Sequence, residues 1–117
     1  MTDINYGMAH RAQALEKALS LPLPDAVYEV VRYNDWAGPF GYTIELSELQ
    51  AKGSGVELQE WEKKSHRLRA DAYAVGDAGL RSDGSYAAIR ARFEATNPGF
   101  NEASYESAVA HGYQRAR

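Results

Sequence analysis

The chain contains no cysteine. That absence excludes disulfides, thiolate metal sites and a cysteine nucleophile. Long apolar runs are also missing, and no window approaches the ~20 apolar residues that a membrane-spanning helix needs. Met1-Thr2-Asp3-Ile4-Asn5 carries neither a basic stretch nor an apolar run. The sequence therefore predicts no signal peptide and a cytoplasmic location. There is no GxSxG elbow, no Walker loop and no GxGxxG fingerprint. Gly53-Ser54-Gly55 is too short for a phosphate loop and lacks the following lysine, so it reads as a linker. Asp77 and Asp83 do not sit in the alternating ligand pattern of a calcium loop. No internal repeat or low-complexity tract is evident.

What is present describes a folded chain. Hydrophobic residues make up 44% of the total, and the formal charge is only -3, so disorder is not expected. The 117 residues fit one domain spanning 1–117. Charge is uneven: residues 1–60 hold nine acids and four bases, residues 61–117 nine bases and seven acids. That balance argues against non-specific nucleic-acid binding by the whole protein, and it leaves room for a local basic face in the second half.

Periodicity predicts a mainly α fold, a compact bundle of about four to six helices. A first helix spans about Asn5 to Ser20, capped by Asp3 or Asn5. Its face is formed by Ile4, Met8, Ala12, Leu15 and Leu19. Leu21-Pro22-Leu23-Pro24 ends it. Residues 27–46 admit two readings. One is a helix starting at an Asp25 cap. The other is a two-stranded β-hairpin, favoured by alternating valines and tyrosines, which would make the fold α+β. Ser47-Glu48-Leu49-Gln50 reads as a capping box opening a short helix. A long helix follows from about Val56 to Val75, with Leu58, Trp61, Ser65, Leu68, Ala72 and Val75 at heptad spacing. Gly76 to Gly84 reads as a loop. Ser85–Thr96 forms a further helix with Tyr86, Ile89 and Phe93 on one face. Asn97-Pro98-Gly99 is a turn, and Asn101 caps the last helix, with Phe100 and Tyr105 as a hydrophobic staple. The buried face of that helix is expected at Tyr105, Val109 and Tyr113. The heptad seam or this last face could also serve a homodimer.

Three classes of chemistry can be weighed. His10, His66 and His111 fall in three separate helices, and Glu62 is the only acidic residue four positions from a histidine. With no recognised ligand motif, the sequence assigns no metal, no cofactor and no catalytic residue. A small histidine-dependent or metal-dependent enzyme is one alternative reading. A second alternative pairs the two C-terminal helices as a helix-turn-helix, with Arg90, Arg92, Arg115 and Arg117 on phosphates. Glu102 and Glu106 in the first turns of the second helix would repel a DNA backbone, which weighs against it. The run Lys63-Lys64-Ser65-His66-Arg67-Leu68-Arg69 follows Glu57, Glu60 and Glu62, and the spacing is that of a solvated helix face.

The oddest segment is residues 33–42. Tyr33, Trp36, Phe40 and Tyr42 crowd four aromatics into ten residues beside Gly38, Pro39 and Gly41. Such a loop either folds over the core or presents Trp and Tyr as anchors to a partner. Asp35, Glu45 and Glu48 would give it an acidic rim. The sequence-based expectation is a small, non-catalytic domain that binds another protein, of the inhibitor, immunity-type or accessory-subunit kind. The expected contact residues are Tyr33, Asp35, Trp36, Phe40, Tyr42 and Glu45.

Overall fold

Two prolines set the first boundary in the chain. In the computed structural model, which describes residues 3–117 and side chains from Tyr6 onward, α1 spans Asp3–Leu19 and α2 spans Leu23–Ala37. Pro22 caps α2 in an extended conformation and Pro24 lies in its first turn. There a missing N–H costs nothing, because the first amides of a helix have no intrahelical partner. The expected caps Asp3 and Asn5, and the expected packing of Ile4, lie outside the described side chains.

The fold is mainly α, with five helices and no strand among the described residues. The remaining three are α3 (Gly55–Arg81), α4 (Tyr86–Thr96) and α5 (Glu102–Ala116). The hairpin reading of residues 27–46 is corrected: Val27, Val30 and Val31 lie in α2, which starts at Leu23 rather than at an Asp25 cap. Asp25 to Val31 is buried without interruption. Burial on nearly all sides overrides the modest strand preference of valine and tyrosine.

The chain divides into two compact units, residues 1–63 and 64–117, with α3 running through the boundary. In the first unit α1 packs on α2. The core gathers Ala18, Val27, Val30, Tyr33, Ile44 and Leu49, with Leu58 from the start of α3. The face expected for α1 is only partly used. Leu15 is half-buried, whereas Met8, Ala12 and Leu19 are exposed. The helix instead turns the smaller Gly7, Ala14 and Ala18 inward, which lets it approach its neighbours closely.

After α2 a 3-10 turn at Gly38–Phe40 ends on Gly41, whose φ of +82° suits glycine. A second 3-10 turn spans Leu46–Leu49. Its cap is Glu45, whose N–H donates to Glu48 at 2.8 Å, so the capping box lies two residues before the one expected at Ser47. A reciprocal box does open α3. Ser54 N–H donates to Glu57 Oε1 at 2.9 Å and Ser54 Oγ accepts the Glu57 N–H at 3.1 Å.

In the second unit the helix runs six residues past Val75, and the loop expected from Gly76 is confined to residues 82–85. Gly76 is helical because α5 passes against it. A Cβ at Gly76 would lie 2.3 Å from Tyr113 N, and one at Gly112 would lie 2.2 Å from Ala72 O. Tertiary contact here outweighs the roughly 1 kcal/mol by which glycine disfavours a helix interior. The buried line of α5 is correspondingly Tyr105, Ala108 and Gly112; Val109 is half-buried and Tyr113 is exposed. At the α4–α5 turn, Gly99 has φ +103°. Asn101 accepts the Ser104 N–H at 2.9 Å, and the Phe100 and Tyr105 rings meet edge-on at 6.0 Å. Tyr105 Oη donates to Asn97 O at 2.7 Å. Of the heptad positions, Leu58, Ser65, Leu68, Ala72 and Val75 are buried within the single chain and Trp61 is half-buried.

Candidate functional site: an aromatic groove on the first unit

The segment after α2 is tied down on one side and displayed on the other. Asn34 on α2 reads Ile44 as a strand would: its Nδ2 donates to Ile44 O and its Oδ1 accepts Ile44 N–H, each at 2.8 Å. Tyr33 Oη donates to Tyr42 O at 2.7 Å. From α1, Arg11 Nε donates to Thr43 O at 3.0 Å, and its Nη2 pairs with Glu48. The Tyr42 ring packs so closely on α1 that a Cβ at Gly7 would stand 2.5 Å from it, and a larger residue there would push the ring aside.

The Arg11 hydrogen bond is the largest influence on Glu48 and lowers its pKa; burial opposes it, and the Glu45 N–H adds to the lowering. A carboxyl held below its ordinary value contributes stability that is present above the usual glutamate range and lost as pH falls through the folded value. Both partners are about 30% exposed, 31% and 28%, so the contribution is modest, at most about 1 kcal/mol. Glu48→Gln is accordingly expected to lower Tm at neutral pH, and the difference from the parent should close in acid. Melting curves from pH 7 down to about pH 3 read this directly. A gap that persists at the acid end would mean the carboxylate charge is not what holds the segment.

Opposite this clamp, aromatic rings run along the surface between α1 and α2. Tyr6 meets His10 edge-on at 4.3 Å between centroids, His10 lies 5.5 Å from Trp36, and Trp36 lies 5.5 Å from Phe40. Tyr33 stands beneath, 6.0 Å from Trp36. Trp36 is 51% and Phe40 62% exposed, whereas Tyr33 is 5% exposed. Two adjoining hollows share Tyr33 and Trp36. One, of about 370 Å³, lies among Tyr6, Gly7, Trp36, Phe40 and Tyr42. The other, of about 360 Å³, lies toward His10, Lys17, Glu29 and Arg32. Each is within the range that accepts a bulky side chain or small ligand.

The four aromatics picked from the sequence thus come together, with Tyr33 as floor and Trp36 and Phe40 as displayed walls. Asp35 and Glu45 are exposed but line neither hollow, and Glu48 is engaged by Arg11. Sequence reasoning missed the contribution of α1. Tyr6 and His10 stand four apart, as do Arg32 and Trp36 on α2, and these spacings were the available signal.

Charge at the second hollow is organised by one buried carboxylate. Glu29, 5% exposed, accepts Arg32 Nη2 and, at 3.4 Å, Arg32 Nε, and it lies 3.5 Å from Lys17 Nζ. The hydrogen bond to Glu29 raises the Arg32 pKa above its ordinary value despite opposing burial.

The other candidate chemistries look different in three dimensions. His66 is exposed and His111 half-buried, and no group of three or more His, Cys, Asp or Glu is placed to hold a metal among the described residues. In the second unit Arg90 is committed internally. It donates to Glu94 at 2.8 Å, to Glu102 and Glu106 at 3.1 Å each, and to Tyr86 Oη at 3.2 Å. Burial opposes its charge, but the hydrogen bonds to Tyr86, Glu106 and Glu94 outweigh that and raise its pKa. Arg115 and Arg117 lie over the rings of Tyr73 and Tyr113, at 5.8 and 5.9 Å. No helix among the described residues is long and apolar enough to cross a membrane. Comparison of the chain with protein-family models, curated proteins and solved structures finds no match.

Proposed function

We propose that this protein is a non-catalytic binding module that docks another protein through the aromatic groove between α1 and α2, acting as a small inhibitor, immunity-type protein or accessory subunit. The observation that carries this reading is the display of Trp36 and Phe40 as contiguous, half-exposed rings over a hollow with a fixed floor. Burying such rings against a partner yields large contact area at little cost in side-chain entropy, and aromatic anchors of this kind dominate binding energy. The clamp through Asn34, Tyr33 and Arg11 holds the surface in place before binding. A nucleic-acid role through α4 and α5 is less favoured, because three carboxylates engage the Arg90 side chain it would need.

The test is affinity capture from the native host with wild-type protein, Trp36→Ala, Phe40→Ala and Tyr73→Ala. A discrete protein retained by wild type and by Tyr73→Ala should bind the two groove variants about thirtyfold less tightly, the size of an aromatic hot spot. A captured protein indifferent to both groove substitutions, with helical content unchanged, would remove the groove from the account.

A further inference from the structure

We infer that the groove takes an acidic segment of its partner, about five residues long, with a bulky apolar side chain at the Phe40 end and carboxylates at the Lys17 end. The inference rests on the protein-binding reading and gives the partner's contact segment a chemistry.

Its basis is the asymmetry of the groove. The end near Tyr6, Trp36 and Phe40 is lined by rings and carries no carboxylate and no cationic side chain among its described lining residues. The end toward α1's C-terminal half is lined by His10, Lys17 and Arg32, and Glu29 is the only carboxylate among the described lining residues of either hollow. Glu29 is buried beneath its two cations, whose side chains are 60% and 40% exposed. One negative charge therefore holds two positive ones at the surface, and one positive charge is left over. A guanidinium has five N–H donors and an ammonium three, so contact with a single carboxylate leaves donors for a visitor. Asp35 and Glu45, the acids the sequence placed at this surface, line neither hollow, and Arg11 is neutralised by Glu48. The length follows from the helix. Tyr6 to Lys17 is about 16 Å at ~1.5 Å per residue, a span that an extended peptide covers in about five residues at ~3.3 Å each.

The test titrates isotope-labelled protein with blocked pentapeptides, Phe-Leu-Gly-Asp-Asp and its reverse, and with matching peptides ending in Asn-Asn or Lys-Lys. Binding is read at the Trp36 indole N–H, assigned by its loss in Trp36→Phe. In one direction or the other, the acidic peptide should bind about fivefold or more tighter than the neutral one, with the basic peptide weakest. Lys17→Glu, which leaves Arg32 on Glu29, should erase that order, and so should raising salt to about 0.5 M. Equal binding by the three peptides, a preference for the basic one, an acid preference untouched by Lys17→Glu, or no binding by any of them would overturn the inference. The capture experiment with Trp36→Ala decides the protein-binding reading separately, since it does not depend on which charge the partner carries.

Discussion

Gly112→Ala is expected to destabilise residues 64–117 by about 3 kcal/mol, and Gly76→Ala by a similar amount, at the upper end of what overpacking a core costs. A methyl at residue 112 would stand 2.2 Å from Ala72 O and 2.6 Å from Ala72 C, and one at residue 76 would stand 2.3 Å from Tyr113 N. The obstacles are backbone atoms of the facing helix, which move only if α3 and α5 separate. Separation would in turn loosen the packing of Ala72, Val75 and Ala108, all buried. Gly79→Ala is the control. It lies on the same helix three residues on, but its nearest obstacle is the Tyr86 ring at 3.7 Å, an ordinary contact. Freed of that penalty, the alanine should gain up to about 1 kcal/mol from helix propensity. Urea titrations followed by circular dichroism compare the three. A Gly112→Ala variant as stable as the parent would show that the two helices do not approach this closely in solution. Because Gly76 and Gly112 share one crossing, the double variant should cost less than the sum of the singles.

That crossing also shows where sequence reading runs out. Punctuation by capping residues and prolines was legible. The Pro22–Pro24 boundary, the Asn101 cap, the Asn97-Pro98-Gly99 turn and the heptad line from Leu58 to Val75 all stand where local chemistry puts them. These signals are set by a few neighbouring residues, so a single sequence suffices. Gly76 was misread as a loop because glycine's usual local meaning is flexibility. Its role here depends on Gly112, 36 residues away, which no window contains. The same holds for α2, where valine and tyrosine favour strands locally and burial on almost every side decides for a helix. At the groove, the cluster of aromatics between residues 33 and 42 was visible as composition. Which of them form walls and which the floor was not, because that depends on α1 supplying Tyr6, Gly7 and His10 from the opposite side. The buried Glu29 with its two cations was equally hidden. Lys17 is twelve residues from Glu29 and meets it only when α1 and α2 pack.

Asn34→Leu is expected to release the segment 38–46 from α2 and to speed hydrogen exchange at the Ile44 amide about a hundredfold, corresponding to roughly 3 kcal/mol of lost docking. The substitution keeps a side chain of similar length but removes both the acceptor of the Ile44 N–H and the donor to the Ile44 carbonyl. Ile44 is 3% exposed, so these groups cannot turn to water while the segment stays in place. The least costly response is for the segment to lift, which takes Tyr42 off Gly7 and Thr43 off Arg11. Asn34→Asp separates the two bonds. It keeps an acceptor for the N–H and loses the donor, so its exchange rate should fall between those of Asn34 and Leu. The core of the first unit draws chiefly on residues outside this segment, so global melting should move less than the local rate. Ile44 exchange unchanged in Asn34→Leu would mean that Tyr33 and Arg11 suffice to hold the segment. If the exchange rises as expected, partner binding should weaken in the same variant although Trp36 and Phe40 are intact, because the wall at Tyr42 would no longer be preformed and the partner would have to supply the cost of ordering it.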